Sequence, residues 1–272
     1  MVRTPSPDRG STVTRLTRRT LRRSHRLLLA GVVTAVAVAG CTSNPEDDPD
    51  TGQPVESAPP APADESGDGG VVEVAETGHS LTEDSAGDVM VTYAVIVENT
   101  SADVAIGTNL DIRLLDSAGE PVTDEVTGND RIASTVNLVM PGERQAVTNT
   151  TYIDGDDVAS LEVTVDGSRW LPAGDARAQA VEVSEVTVAG DGDTWEIDFR
   201  VDSPYAEELT SVATYAVYRD AGGAVVGGSA PNDSRLFAYP SGTGEGQIEV
   251  SSASPDWEPG NTEVYIDPSV TL

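Results

Sequence analysis

The stretch Trp195-Glu-Ile-Asp-Phe-Arg-Val201 alternates apolar and charged residues without a break. In an extended chain successive side chains point to opposite faces. Trp195, Ile197, Phe199 and Val201 therefore share one face, and Glu196, Asp198 and Arg200 the other. That period predicts a strand half-buried in an antiparallel sheet, not an amphipathic helix. The same reading covers Val89–Val97, Leu110–Leu115, Val136–Val139, Leu161–Val165, Val181–Val188, Val212–Tyr218, Gln247–Val250 and Glu263–Ile266. Turn-forming stretches such as Asp116-Ser-Ala-Gly119, Pro141-Gly142 and Asp220-Ala-Gly-Gly223 lie between them. No window offers a convincing amphipathic helix. Short strands at this spacing predict an all-β chain built as a β-sandwich.

The chain also matches itself. Shifted by 104 positions, residues 91–122 meet 195–226 without a gap. Tyr93, Val95 and Val97 land on Ile197, Phe199 and Val201, and Asp116, Gly119 and Val122 land on Asp220, Gly223 and Val226. Farther on, Gly142-Glu-Arg-Gln145 meets Gly244-Glu-Gly-Gln247, and Leu161–Val165 meets Thr262–Ile266. A repeat of about 100 residues is the size of one sandwich. The expected organisation is a first sandwich over 71–172, a linker over 173–179 and a second sandwich over 180–272.

A family resemblance rests on these residues. Ile112-Arg-Leu-Leu-Asp116 with Gly119, Val122 and Pro141-Gly-Glu143, and Ala216-Val-Tyr-Arg-Asp220 with Gly223 and Val226, resemble the FxLYD domain and its DUF4352-like relatives. Neither copy carries the leading Phe. The resemblance implies two tandem immunoglobulin-like antiparallel sandwiches of a secreted bacterial protein, and it brings no catalytic residues. Asp116 and Asp220 are expected to bond backbone N–H groups just beyond the strand end, with Gly119 and Gly223 supplying the positive φ of the turn.

The amino-terminal forty residues have a different chemistry. All sixteen basic residues are Arg, and eight of them lie within residues 1–26. From residue 41 onward eight Arg face 45 acids. Leu27–Gly40 is apolar and uncharged, too short for a membrane-spanning helix, which needs about 20 residues. A basic segment followed by a short apolar one predicts a secretory signal over 1–40. Its end, Val38-Ala-Gly-Cys41, resembles the bacterial lipobox. That resemblance implies cleavage between Gly40 and Cys41, and lipid on the Cys41 thiol. Membrane attachment through that lipid, on the extracytoplasmic side, is then the expected location. Arg18-Arg19 faintly resembles a twin-arginine export signal, so general secretion and twin-arginine export both stay open. Residues 41–70 are rich in Pro and acids, with Val55 the only sizeable apolar side chain after Cys41. Such a segment cannot bury enough surface to offset its ordering entropy and reads as a disordered tether.

So acidic a body excludes nucleic-acid binding through its surface charge. After residue 41 the chain has one histidine, His79, expected in a hairpin loop, and no cysteine beyond Cys41. Neither a catalytic triad nor a zinc centre of the usual ligands can be assembled from these, and no cofactor is expected. Acidic turns at Asp154-Gly-Asp-Asp157 and Asp191-Gly-Asp193 are candidates for calcium but do not follow the EF-hand loop. Trp170 and Trp257 are candidate sugar platforms or lids on the core. The reading is a non-catalytic binding or structural module at the cell envelope, with an envelope protein or wall polymer as partner. The alternatives are a wall-glycan hydrolase using carboxylate pairs and a calcium-dependent adhesion module.

Overall fold

The computed structural model describes residues 70–84, 86–191, 194–229, 237–250 and 253–269. Among these the chain is all-β, with one 3₁₀ turn at Pro259–Asn261. The first seven strands are β1 (Val72–Glu83), β2 (Val89–Asn99), β3 (Val104–Leu115), β4 (Pro121–Val122), β5 (Ile132–Val139), β6 (Arg144–Tyr152) and β7 (Ser160–Leu171). The next seven are β8 (Glu182–Asp191), β9 (Thr194–Ser203), β10 (Leu209–Arg219), β11 (Val225–Ser229), β12 (Phe237–Tyr239), β13 (Gly242–Val250) and β14 (Glu263–Pro268). Every pairing is antiparallel.

The first seven strands form one sheet in the order β1-β2-β6 and another in which β4, β5 and β7 pair with β3. The second seven repeat this strand for strand: β8-β9-β13 form one sheet, and β11, β12 and β14 pair with β10. Each half has its own apolar core drawn from both of its sheets. In the first half Tyr93, Val95 and Val97 of β2 meet Leu110, Ile112 and Leu114 of β3. In the second, Ile197, Phe199 and Val201 of β9 meet Ala216 and Tyr218 of β10, with Trp257 closing one side. The alternation of Trp195–Val201 reappears as burial, with Ile197, Phe199 and Val201 inside and Glu196, Asp198 and Arg200 exposed.

Packing explains where the strands differ from expectation. His79 lies in the middle of β1, not in a hairpin loop, and its Nε2–H donates to the Val158 carbonyl at 2.8 Å. β3 begins ahead of Leu110, because Gly107, at φ +59°, absorbs an irregularity that interrupts the apolar period without ending the strand. The spatial counterpart of Gln145 is Gly244, not Gln247: Gln145 pairs with Val97, and Gly244 pairs with Val201. Volume accounts for this register. Val147 stands opposite Val95 in the first half, whereas Gly246 stands opposite the larger Phe199, whose ring fills the space a Cβ there would need.

β2 does not alternate. Tyr93, Val95 and Val97 face the core, yet Thr92, Ala94 and Ile96 are also buried. The second half covers that other face. Ala94, Ile96 and Ala146 form a small shared core with Val217 and Val225, and Tyr265 packs against it. The approach is close because glycines line it. A Cβ at Gly78 would collide with the Val225 backbone, and Cβ atoms at Gly227 and Gly228 would strike Thr92 and Thr148. The connection between the halves is also tied down. Ala178 is buried beside Val104, Ile106 and Leu171, and Tyr205 Oη exchanges hydrogen bonds with the Gln179 backbone.

Gly78→Val should therefore lower stability by about 1–3 kcal/mol through overpacking. Because each half keeps its own core, the expected signature in chemical denaturation is one transition splitting into two.

Candidate functional site

Two regions combine charge with geometry. The first is the rim of the seam. Arg219, at the end of β10, has a side chain only 12 % exposed and spans both halves. Its Nη1 donates to Glu76 of β1 at 2.6 Å, and its Nε and Nη2 donate to Glu263 of β14 at 2.9 and 3.1 Å. Arg144 of β6 extends the network to the other oxygen of Glu76 and to Glu98, and Tyr265 donates to Glu263. The Arg219 guanidinium holds the Glu76 carboxyl below its ordinary range, and these carboxylates hold Arg219 above its own. Deeper in the seam, Gln145 Nε2 donates to the Ile266 carbonyl at 2.9 Å.

The second region is the outer face of β8-β9-β13, where a shallow groove of about 880 Å³ is lined by Glu185, Thr187, Asp198, Arg200, Thr243 and Glu245. β8 bulges between Ser184 and Thr187, and Glu185 takes a left-handed backbone, φ +53°. Its carboxylate lies 3.6 Å from Arg200. Gln247 Nε2 donates to Asp198 at 2.8 Å, and Thr243 donates to Asp202 at 3.3 Å. Phe199 lies beneath, nearly fully buried, so it offers no stacking surface. The groove has the chemistry to bind cationic or hydroxyl-bearing groups.

Gly40, Cys41 and the expected tether lie outside the described residues. Asp116 Oδ1 accepts from Ala118 N and Glu120 N at 2.9 and 2.8 Å, with Gly119 at φ +80°. Asp220 Oδ1 accepts from Gly222 N and Ala224 N at 2.9 and 2.8 Å, with Gly223 at φ +87°. Asp84 builds a third such turn between β1 and β2, accepting from Ala86 N and Asp88 N. Asp157 accepts from Ser117 N. Among the described residues no group of three or more His, Cys, Asp or Glu is arranged to hold a metal, and Asp191-Gly-Asp193 falls partly outside them. Trp257 is buried against Trp195 and Tyr218, which makes it a core lid and not a sugar platform; Trp170 packs partly buried on the first core.

The seam is what sequence reasoning missed. Its signals were present. Val89–Val97 carries apolar residues on both faces where one was expected, and Gly227-Gly228 interrupts a strand with no turn to make. No protein-family model matches the chain, and no curated protein matches it in sequence.

Arg219→Ala should cost about 1–3 kcal/mol, because it leaves Glu76 and Glu263 half-buried without their shared cation. Arg219→Lys should recover only part of that loss, since an ammonium cannot fork between two carboxylates. Denaturation of the two variants beside the parent chain checks both.

Proposed function

We propose that this chain is a lipid-anchored lipoprotein on the extracytoplasmic side of the cell membrane. In this reading its folded part is two immunoglobulin-like sandwiches of the FxLYD kind, joined back to back into a non-catalytic binding or structural module. Cleavage before Cys41 would remove every basic residue of the amino-terminal segment and leave a thiol to carry lipid. Two or three acyl chains hold a protein firmly, since each buried CH₂ contributes about 0.8 kcal/mol. The partner is an envelope protein or wall polymer.

The observation that carries the module reading is the seam. An intramolecular contact buried this closely turns two repeats into one stiff body, as a spacer or display platform requires. The ordinary chemical candidates are also committed to structure: His79 to the Val158 carbonyl, Asp116 and Asp220 to their turns, Trp257 to the core.

The groove on β8-β9-β13 favours one second reading, a wall-glycan hydrolase working through Asp198 and Glu245. Turnover of wall glycan by the parent chain, lost in Asp198→Asn and Glu245→Gln, would replace the module reading. Crosslinking in intact cells should instead capture a partner with no change in the glycan.

Cys41→Ala should leave the chain unprocessed or release it from the membrane fraction. A variant that is still cleaved and still membrane-bound overturns the anchoring.

A further inference from the structure

We propose that Asp267 is a proton-controlled latch on the seam: with its carboxyl protonated, β14 holds tightly to β5, and ionisation loosens that contact. This goes beyond the anchoring and module reading and does not rest on it.

Asp267 is 0 % exposed. It lies near the end of β14, opposite Ala213 of β10, and its carboxyl reaches into the first half of the chain. Oδ2 accepts from Asn137 N at 2.8 Å and from Asn137 Nδ2 at 3.0 Å, and Oδ1 accepts from Leu138 N at 2.9 Å. All three donors are neutral and belong to β5. None of the ion pairs among the described residues includes Asp267.

The elements packed against β14 bring no spare cation to it. β5 has no titratable residue. β10 brings Tyr215 and Arg219, and β6 brings Arg144, but both arginines are engaged with Glu76, Glu98 and Glu263. β8 brings Glu182 and Glu185, both acids, and β14 itself adds Glu263 and Tyr265.

A carboxylate taken out of water without a cation is costly, whereas the neutral acid is not. Protonation leaves the same three donors aimed at the carboxyl, those of Asn137 at its carbonyl oxygen and that of Leu138 at its hydroxyl oxygen, and removes the buried charge. Burial accordingly pushes the Asp267 carboxyl up to about 7, against the pull of Asn137 and Leu138. Tyr215 is pushed up to about 12 by burial and by the negative charge of Asp267.

The direction of the effect follows. The unfolded carboxyl titrates near 3.8, the folded one near 7. Between those values the folded chain holds a proton that the unfolded chain lacks. Stability from this group is fully present below about pH 4 and is lost as pH rises to about 7. Within that window the folded-to-unfolded ratio changes by up to about tenfold per pH unit.

The test uses the full chain. The Asp267 carboxyl is followed by ¹³C NMR, assigned by its absence in D267N. Hydrogen exchange of the Asn137 and Leu138 amides, corrected for intrinsic rate, is compared at about pH 5.5 and about pH 8.5. The expected result is a midpoint near 7 and a loss of about thirtyfold in protection at Asn137 and Leu138. A midpoint below 5 overturns the latch, as does protection at Asn137 and Leu138 that stays level or rises. If D267N folds, its protection should not depend on pH, and retention of the parent's dependence overturns the proposal. If D267N does not fold, the parent chain's exchange at the two pH values decides alone, with the carboxyl midpoint then assigned through its coupling to the β14 backbone.

Discussion

Two sheet faces can approach this closely only where the layer of side chains between them is nearly absent. Gly78, Gly227 and Gly228 supply that absence, and the rest of the seam depends on it. Stacked sheets ordinarily stand about 10 Å apart, with interdigitated side chains filling the gap. Here the backbone of β11 lies against the outer face of β1-β2-β6, and Ala94, Ile96, Ala146, Val217 and Val225, with Tyr265 against them, form the apolar filling. The short reach then brings polar groups at the edges into bonding distance: Arg219 to Glu76, Gln145 to the Ile266 carbonyl, and Asp267 to β5. Any side chain that props the sheets apart weakens all of these together.

β2 is the element most exposed to that coupling. It contributes Tyr93, Val95 and Val97 to one core and Ala94 and Ile96 to another. A change in β2 is therefore felt in both halves, whereas one in β9 is felt in its own half alone. Charge adds to the asymmetry. The chain after residue 41 is strongly acidic and repels itself, and its few arginines act as staples. Arg113, Arg131, Arg144, Arg177, Arg200 and Arg219 each hold at least one carboxylate. Among the described residues only Arg144 and Arg219 hold more than one, and both stand at the seam.

Much of the all-β architecture was legible in the sequence, because alternation reports directly on one buried and one wetted face. Trp195–Val201 behaves in that way, with Ile197, Phe199 and Val201 inside and Glu196, Asp198 and Arg200 outside. The repeat was legible for the same reason: core positions recur at a fixed offset even where identities do not. β1 was not legible. Glu76, Gly78 and Ser80 look like a polar loop, since Glu76 is chosen for an ion network and Gly78 and Ser80 for a seam, and not for a core. The seam itself pairs residues far apart in sequence, and small side chains leave no hydrophobic signal. The role of Asp267 was equally silent. Nothing local distinguishes it from the other acids, and only burial against β5 does so.

The two repeats differ where it matters for growth of the stack. Thr92, Ala94 and Ile96 of β2 accept a second unit on their face; Glu196, Asp198 and Arg200 occupy the same places in β9. A third unit seated by the same geometry would have to strip water from those charges. The second repeat is thus an end-piece as well as a copy, like the polar caps that terminate repeat arrays. The stacking rule written into the first repeat is used once and then switched off by three side chains.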